Sequence, residues 1–196
     1  MANSLFSIGY ATKPIDSFIQ QLHKHNVSVI ADVRSVPYST AFQDYRQDAL
    51  KATLAAAGIK YVYLGKELGP RSKDLSHYDE CGQVKFDRLV KSDLFQQGVT
   101  RLRQGLDKGL SIAMMCAEKD PATCHRSLLV AHFLKHELDI VVQHIDYDGQ
   151  LELQDELESR LVSLQGLSAD MLSKEEELEE MAYQQQVQQT SYRLPE

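Results

Sequence analysis

No stretch of this 196-residue sequence approaches the roughly 20 consecutive apolar residues that a membrane helix needs, so no spanning segment is expected. The first ten residues, Met1 to Tyr10, have no basic start and no long apolar centre, so no secretory leader is expected from them. Cysteine is scarce. The three cysteines, Cys81, Cys116 and Cys124, cannot all pair within one chain. A cytoplasmic protein with reduced thiols is the expectation, and free thiol, metal ligation and plain packing stay open for them. Internal repeats and low-complexity stretches are missing from the body of the chain. Excess positive charge is missing too: 21 Lys+Arg face 28 Asp+Glu, which argues weakly against nucleic acid as the partner. What is present suffices for a core, since 43% of the residues are hydrophobic and 25% charged.

The charge is unevenly placed. Residues 1–150 hold 17 acidic and 18 basic side chains, whereas residues 151–196 hold 11 acidic and 3 basic ones. A near-neutral domain over 1–150 followed by an acidic helical tail over 151–196 is therefore predicted. Within the body, strand-like and helix-like segments alternate. Leu5–Ile8, Val27–Val33, Ile59–Leu64, Leu110–Cys116 and Ile140–Ile145 read as strands. Pro14–His25, Asp48–Ala57, Phe86–Asp107 (with Gly98 as a break) and Thr123–Leu138 read as helices. Alternation of this kind predicts an α/β fold: a three-layer, doubly wound sheet of about five mainly parallel strands. The polar segment Lys66–Gly82 is long enough to be a functional loop or lid. In the tail, Leu153, Leu157, Leu161 and Leu164 form a helix stripe, and Lys174–Gln189 is helix-prone, either as a solvated helix or as a docking or homodimer contact.

Open parallel sheets bind ligands outside the carboxyl ends of their strands. Here those ends carry Gly9 and Tyr10, then Asp32 and Arg34 with Ser39 beyond, then Arg71, then Cys116 and Glu118 followed by Asp120, Pro121, Cys124, His125 and Arg126, and last His144. Asp120 suits a helix cap with Pro121 in the first turn, and Thr123 is the alternative cap. Either choice puts Cys124 and His125 near a helix N-terminus, where the field favours an anion and lowers a thiol pKa. Arg34 and Arg126, with Gly9, Tyr10, Asp32, Ser39 and Arg71 around them, are candidate anion-binding residues. Cys116, Glu118, Cys124 and His125 are candidate catalytic residues, with the thiols as nucleophiles and Glu118 or His125 moving protons. Asp32 and Arg34 are equally readable as a mutual salt bridge. The spacing from Cys116 or Cys124 to Arg126 does not fit a Cys-x5-Arg phosphatase loop. If a metal is present, Cys116, Cys124 and His125 are its expected ligands, although Cys-x7-Cys-His is not a standard zinc spacing. His132 and His136 form a stripe on one helix face, read as satisfied core or surface histidines rather than a metal motif.

Taken together, Ile8-Gly9-Tyr10, Asp32-Val33-Arg34 with Pro37 and Ser39, Gly58-Ile59-x-Tyr61 with Leu68-Gly69, and Cys116-x-Glu118-x-x-Pro121-x-x-Cys124-His125-Arg126 resemble the domain-of-unknown-function family 488. The resemblance spans about residues 4–150 and implies an intracellular, mainly bacterial α/β domain of unassigned activity. Where the family commonly has Leu-Gly-Gly, this chain has Leu68-Gly69-Pro70. The family supplies no reaction and no cofactor, so function rests on the site. The expectation is a protein that binds or processes a small anionic or nucleotide-like molecule in a Cys/Glu/His/Arg pocket. A non-catalytic ligand- or nucleic-acid-binding module and a zinc site are the alternatives.

Overall fold

A computed structural model describes residues 4–168 and 174–195. Six strands lie in one sheet: β1 (Leu5–Gly9), β2 (Val29–Asp32), β3 (Lys60–Tyr63), β4 (Ile112–Cys116), β5 (Val142–Ile145) and β6 (Leu151–Leu153). Their order is β3-β2-β4-β1-β5-β6, and all pairings are parallel except β5 with β6. The predicted sheet is therefore present, with one strand more than the expected five. The extra strand is three residues long, too short to carry a readable alternation, and it turns back through Asp146–Gly149. Apolar runs such as Ile112-Ala113-Met114-Met115 form a central strand because helices cover both sheet faces.

One face is covered by α1 (Ile15–Lys24) and α2 (Gln47–Ala56), which bury Phe18, Leu22, Leu50 and Leu54 against Phe6, Ile8, Ile30 and Met115. Fully burying such a side chain stabilises by roughly 1.5–3 kcal/mol before conformational entropy is counted. The other face carries α3 (Gly65–Leu68), α4 (Phe86–Leu89), α5 (Asp93–Asp107), α6 (His132–Leu138), α7 (Gln154–Leu164) and α8 (Glu175–Thr190). The break within 86–107 falls at Val90–Ser92, where Ser92 Oγ caps α5 by accepting from Phe95 N at 3.2 Å. Gly98 instead lies inside α5, because a Cβ there would sit 2.7 Å from side-chain atoms of Glu67 and Leu68.

The segment predicted as one helix over Thr123–Leu138 is built in three pieces. Asp120 Oδ1 accepts from Ala122 N at 2.9 Å and caps a 3-10 turn, Pro121–Thr123, as the Asp-Pro pair suggested. Cys124 is extended (φ −124°, ψ 139°), and a π-helical turn, Arg126–Ala131, leads into α6. Such turns recur at functional sites.

The acidic tail packs on the body. Leu157 and Leu161 of α7, and Leu178, Ala182 and Tyr183 of α8, are buried. Tyr183 stacks on His132 with ring centroids 3.7 Å apart, and its hydroxyl donates to Leu128 O at 2.8 Å. Gln186 Nε2 donates to Ala122 O at 2.7 Å. Most of the charge lies on the outer faces of these helices, with Glu158 of α7 buried as the exception. Truncating Tyr183 to Ala is expected to cost about 3–5 kcal/mol in urea unfolding, as for other large buried aromatics. Tyr183→Phe, which leaves only Leu128 O without its partner, is expected to cost about 1–3 kcal/mol.

Candidate functional site

Arg126 positions the site. Its side chain has no exposed surface, and its guanidinium faces inward. Nη1 donates to Glu118 O at 2.8 Å, Nη2 to Lys119 O at 3.3 Å and Nε to Ser7 Oγ at 3.2 Å. The expected anion clamp is thus engaged in holding the loop after β4 against β1. Gly9 has a matching role: a Cβ there would lie 1.9 Å from Glu118 O, so only glycine lets the loop approach β1.

Behind Arg126 runs a directional chain of buried polar groups. Ser7 Oγ lies 2.7 Å from His144 Nδ1, and His144 Nε2 lies 2.7 Å from Gln154 Oε1. Gln154 Nε2 donates to Glu158 Oε1 at 2.8 Å. Since Gln154 Oε1 only accepts, His144 carries its proton on Nε2, and Nδ1 accepts from Ser7. Burial first, then the charge of Arg126, pushes His144 down to about 4. Glu158 also binds Lys135 Nζ at 2.5 Å, His132 Nδ1 at 3.0 Å and His136 Nε2 at 3.2 Å. Against its burial, the hydrogen bonds from His132, Gln154 and Lys135 hold Glu158 down at about 2. The histidine stripe is thus part of an ion-pair network joining α6 to α7.

The loop held by Arg126 folds four chemical groups together. Cys116 Sγ donates to Glu118 Oε2 at 2.7 Å, and Cys124 Sγ lies 3.1 Å from the same oxygen. His125 Nδ1 lies 3.6 Å from Cys116 Sγ and 3.9 Å from Cys124 Sγ. His125 Nε2 donates to Val33 O at 2.9 Å, so the ring turns Nδ1 toward the sulfurs. Cys124 stands at the entry to the helical run: its carbonyl accepts from Ser127 N and Leu128 N, and its Sγ from Arg126 N at 3.5 Å. Although burial opposes it, contact with Cys116 and the charges of Arg126 and His125 hold the Cys124 thiol well below its ordinary range. Burial and then Cys124 push the Cys116 thiol up, and the same two causes raise Glu118. One potential ligand atom from each of Cys116, Glu118, Cys124 and His125 lies within 4.8 Å of the others.

A cavity of about 410 Å³ opens onto this cluster at the carboxyl edge of the sheet. Cys116, Glu118 and His125 line it, together with Tyr10, Arg34, Arg71 and Tyr192. Cys124 is sealed behind them, 1% exposed. A larger cavity of about 780 Å³ lies between α6, α8 and residues 83–91 and contains none of the strand-edge groups, so the smaller one is the candidate site. Of the expected anion binders, Asp32 is fully buried. It pairs with Arg34 at 2.6 Å (Nη2) and 2.9 Å (Nε) and accepts from Tyr61 Oη at 2.6 Å. The remaining Arg34 Nη1 donates to Tyr45 O at 2.8 Å. The mutual salt bridge is thus the observed reading, with one edge of Arg34 on the cavity wall. Ser39 is a turn residue whose Oγ accepts from Phe42 N at 3.0 Å, and it does not line the cavity. Arg71 is exposed, stacks 4.7 Å over the Tyr192 ring, and donates no side-chain hydrogen bond to the described residues. Tyr192 was not singled out from sequence, because nothing in a tail predicts that its end returns to the sheet edge.

A family model described as a domain of unknown function, DUF488, matches residues 14–133. No curated protein and no solved structure matches the chain. The matched span contains Asp32, Arg34, Arg71 and the whole Cys/Glu/His cluster.

At pH 7 one thiol of three, the exposed Cys81, is expected to react quickly with a disulfide reagent. Cys81→Ser should remove that phase, leaving two buried thiols that react much more slowly. The lowered His144 pKa also fixes a pH dependence. Above about 6.5 both states are neutral and the stabilisation is complete; between 6.5 and about 4 only the unfolded chain takes up the proton. Stability in urea titrations is therefore expected to fall by about 3 kcal/mol over that window. Glu158 extends the loss from its ordinary 4.5 toward 2.

Proposed function

The chain belongs to the family of this domain of unknown function, DUF488, and from that premise we propose that its strand-edge cavity binds and processes a small anionic molecule with a planar part, nucleotide-like in chemistry. One observation carries the reading: the Cys116/Glu118/His125 floor and the exposed Arg71 cation face the same cavity. Its volume, about 410 Å³, suits a small ligand. Tyr10, Tyr38, Phe86 and Tyr192 supply aromatic wall. Arg71 meets the anion at the mouth, preorganised by Tyr192. Arg34, already neutralised by Asp32, shapes the wall and stacks at 5.2 Å on Tyr10. Glu118, whose pKa burial and then Cys124 push upward, is the acid–base group. Arg126 is a positioning residue that fixes the Glu118 backbone.

The test is thermal shift with a panel of nucleoside phosphates, inorganic phosphate and small carboxylates. At least one ligand at 100 times its Kd is expected to raise the Tm of the native protein by about 5–10 °C, from about 2.7 kcal/mol of linkage. Arg71→Ala should abolish that shift while leaving the unliganded Tm within about 2 °C, as for an exposed side chain. A panel that shifts neither protein, or both equally, overturns the reading.

A further inference from the structure

Three of the four clustered groups come from a buried strand end and the turn that follows it, and the fourth reaches in from the cavity side. Cys116 and Cys124 are 3% and 1% exposed, whereas Glu118 is exposed as a residue and presents one oxygen to both sulfurs. No Lys or Arg side chain among the described residues donates to any of these four side chains; the nearby guanidinium of Arg126 is turned onto carbonyls instead. The cluster therefore gathers two sulfurs, an imidazole nitrogen and a carboxylate oxygen, with no Lys or Arg side-chain donor to them among the described residues.

We infer that Cys116, Cys124 and His125 ligate a divalent ion of the zinc class, with Glu118 at the fourth, cavity-facing corner. The donor set selects the ion: paired thiolates with imidazole suit zinc and exclude the oxygen-seeking calcium and magnesium. Bond lengths of about 2.3 Å to sulfur and 2.0–2.1 Å to nitrogen give a tetrahedral S-to-N edge of about 3.6 Å. The two Sγ-to-Nδ1 distances, 3.6 and 3.9 Å, lie near it. Glu118 Oε2 lies closer to the sulfurs than such an edge, so loading moves its carboxylate outward, toward the cavity. The outer layer fits as well. His125 Nε2 bonds a backbone carbonyl, Val33 O, as metal-bound histidines do, which fixes the ring and the free nitrogen. Arg126 N–H supports Cys124 Sγ from the far side.

Uptake displaces the protons held by the two sulfurs and the imidazole, which pass to solvent, and forms two S–metal bonds and one N–metal bond. Because the fourth corner opens on the cavity, a water or ligand oxygen can take it when Glu118 swings away, the arrangement of a catalytic rather than a closed structural site. The ligand set stands on its own geometry; only the statement that the ion would act on a bound anion rests on the proposed function.

The experiment is metal analysis of untagged protein purified without chelator, followed by zinc and cobalt(II) titration of the apo form. About one zinc per chain is expected, with cobalt giving the intense visible bands of a tetrahedral thiolate site. X-ray absorption of the zinc form should resolve two sulfurs near 2.3 Å and two lighter atoms near 2.0–2.1 Å. Cys116→Ser and Cys124→Ser should each lose at least ten-fold in zinc affinity, as for removal of a metal-binding partner, whereas Cys81→Ser and Arg71→Ala keep it. The spectra of the native protein decide the matter even where a cysteine variant fails to fold. No metal as isolated and no stoichiometric uptake by the apo protein overturns the inference, as does zinc bound with fewer than two sulfurs. Anion shifts lost in Arg71→Ala without any zinc would overturn this inference and leave the cavity reading standing; zinc without anion shifts would do the reverse.

Discussion

A guanidinium with no exposed surface lies beneath the edge of the sheet, and the candidate site is built around it. Burying such a charge costs several kcal/mol unless its donors are met. Arg126 meets that demand with two loop carbonyls and the Ser7 hydroxyl, and the demand itself shapes the loop. The carbonyls of Glu118 and Lys119 must point inward to satisfy the arginine, which fixes the backbone that carries Glu118 beside both thiols. Gly9 leaves room for that approach, and the Ser7–His144–Gln154–Glu158 chain passes the hydrogen-bonding requirement on to α7. The site thus inherits its rigidity from satisfying one buried cation.

The second buried ion pair works differently. Asp32 accepts from Nε and Nη2 of Arg34 and from the Tyr61 hydroxyl, tying β2 and β3 together. Arg34 in turn stacks on Tyr10, which lies against Tyr45 with ring centroids 4.2 Å apart. One side of the cavity is therefore a rigid, charge-compensated wall. Arg71 and Tyr192 form another part of the wall: Arg71 is exposed and stacks on Tyr192, which is half-buried against the core and accepts from Val84 N at 2.9 Å through its carbonyl.

Much of this was legible in the sequence. Strand runs alternating with helices gave the layers and the parallel order, because those patterns follow directly from burial on one face or two. The Cys116/Glu118/Cys124/His125 grouping was legible because strand ends share one edge. The direction of Arg126 was not: a buried arginine and a ligand-binding one have the same local sequence, and only the neighbouring carbonyls decide between them. The salt bridge of Asp32 with Arg34 was one of two even readings for the same reason. Ser7 carried no signal, since its partners His144 and Arg126 lie 137 and 119 residues away, and Gln154 none, since nothing local marks a glutamine as buried. β6 was too short, and of the leucine stripe read in the tail Leu157 and Leu161 are buried while Leu153 and Leu164 are exposed.

The wall contributed by Thr190, Ser191 and Tyr192 has a consequence for the order of events during synthesis. Cys116 to His125 emerge from the ribosome about 70 residues before Tyr192, an interval of several seconds at about 5–20 residues per second. Throughout that interval the thiols, the imidazole and the carboxylate are on hand while the cavity that confines them is still open on one side. The nascent chain thus has its reactive groups before it has an enclosure, and the pocket closes as one of the last acts of folding.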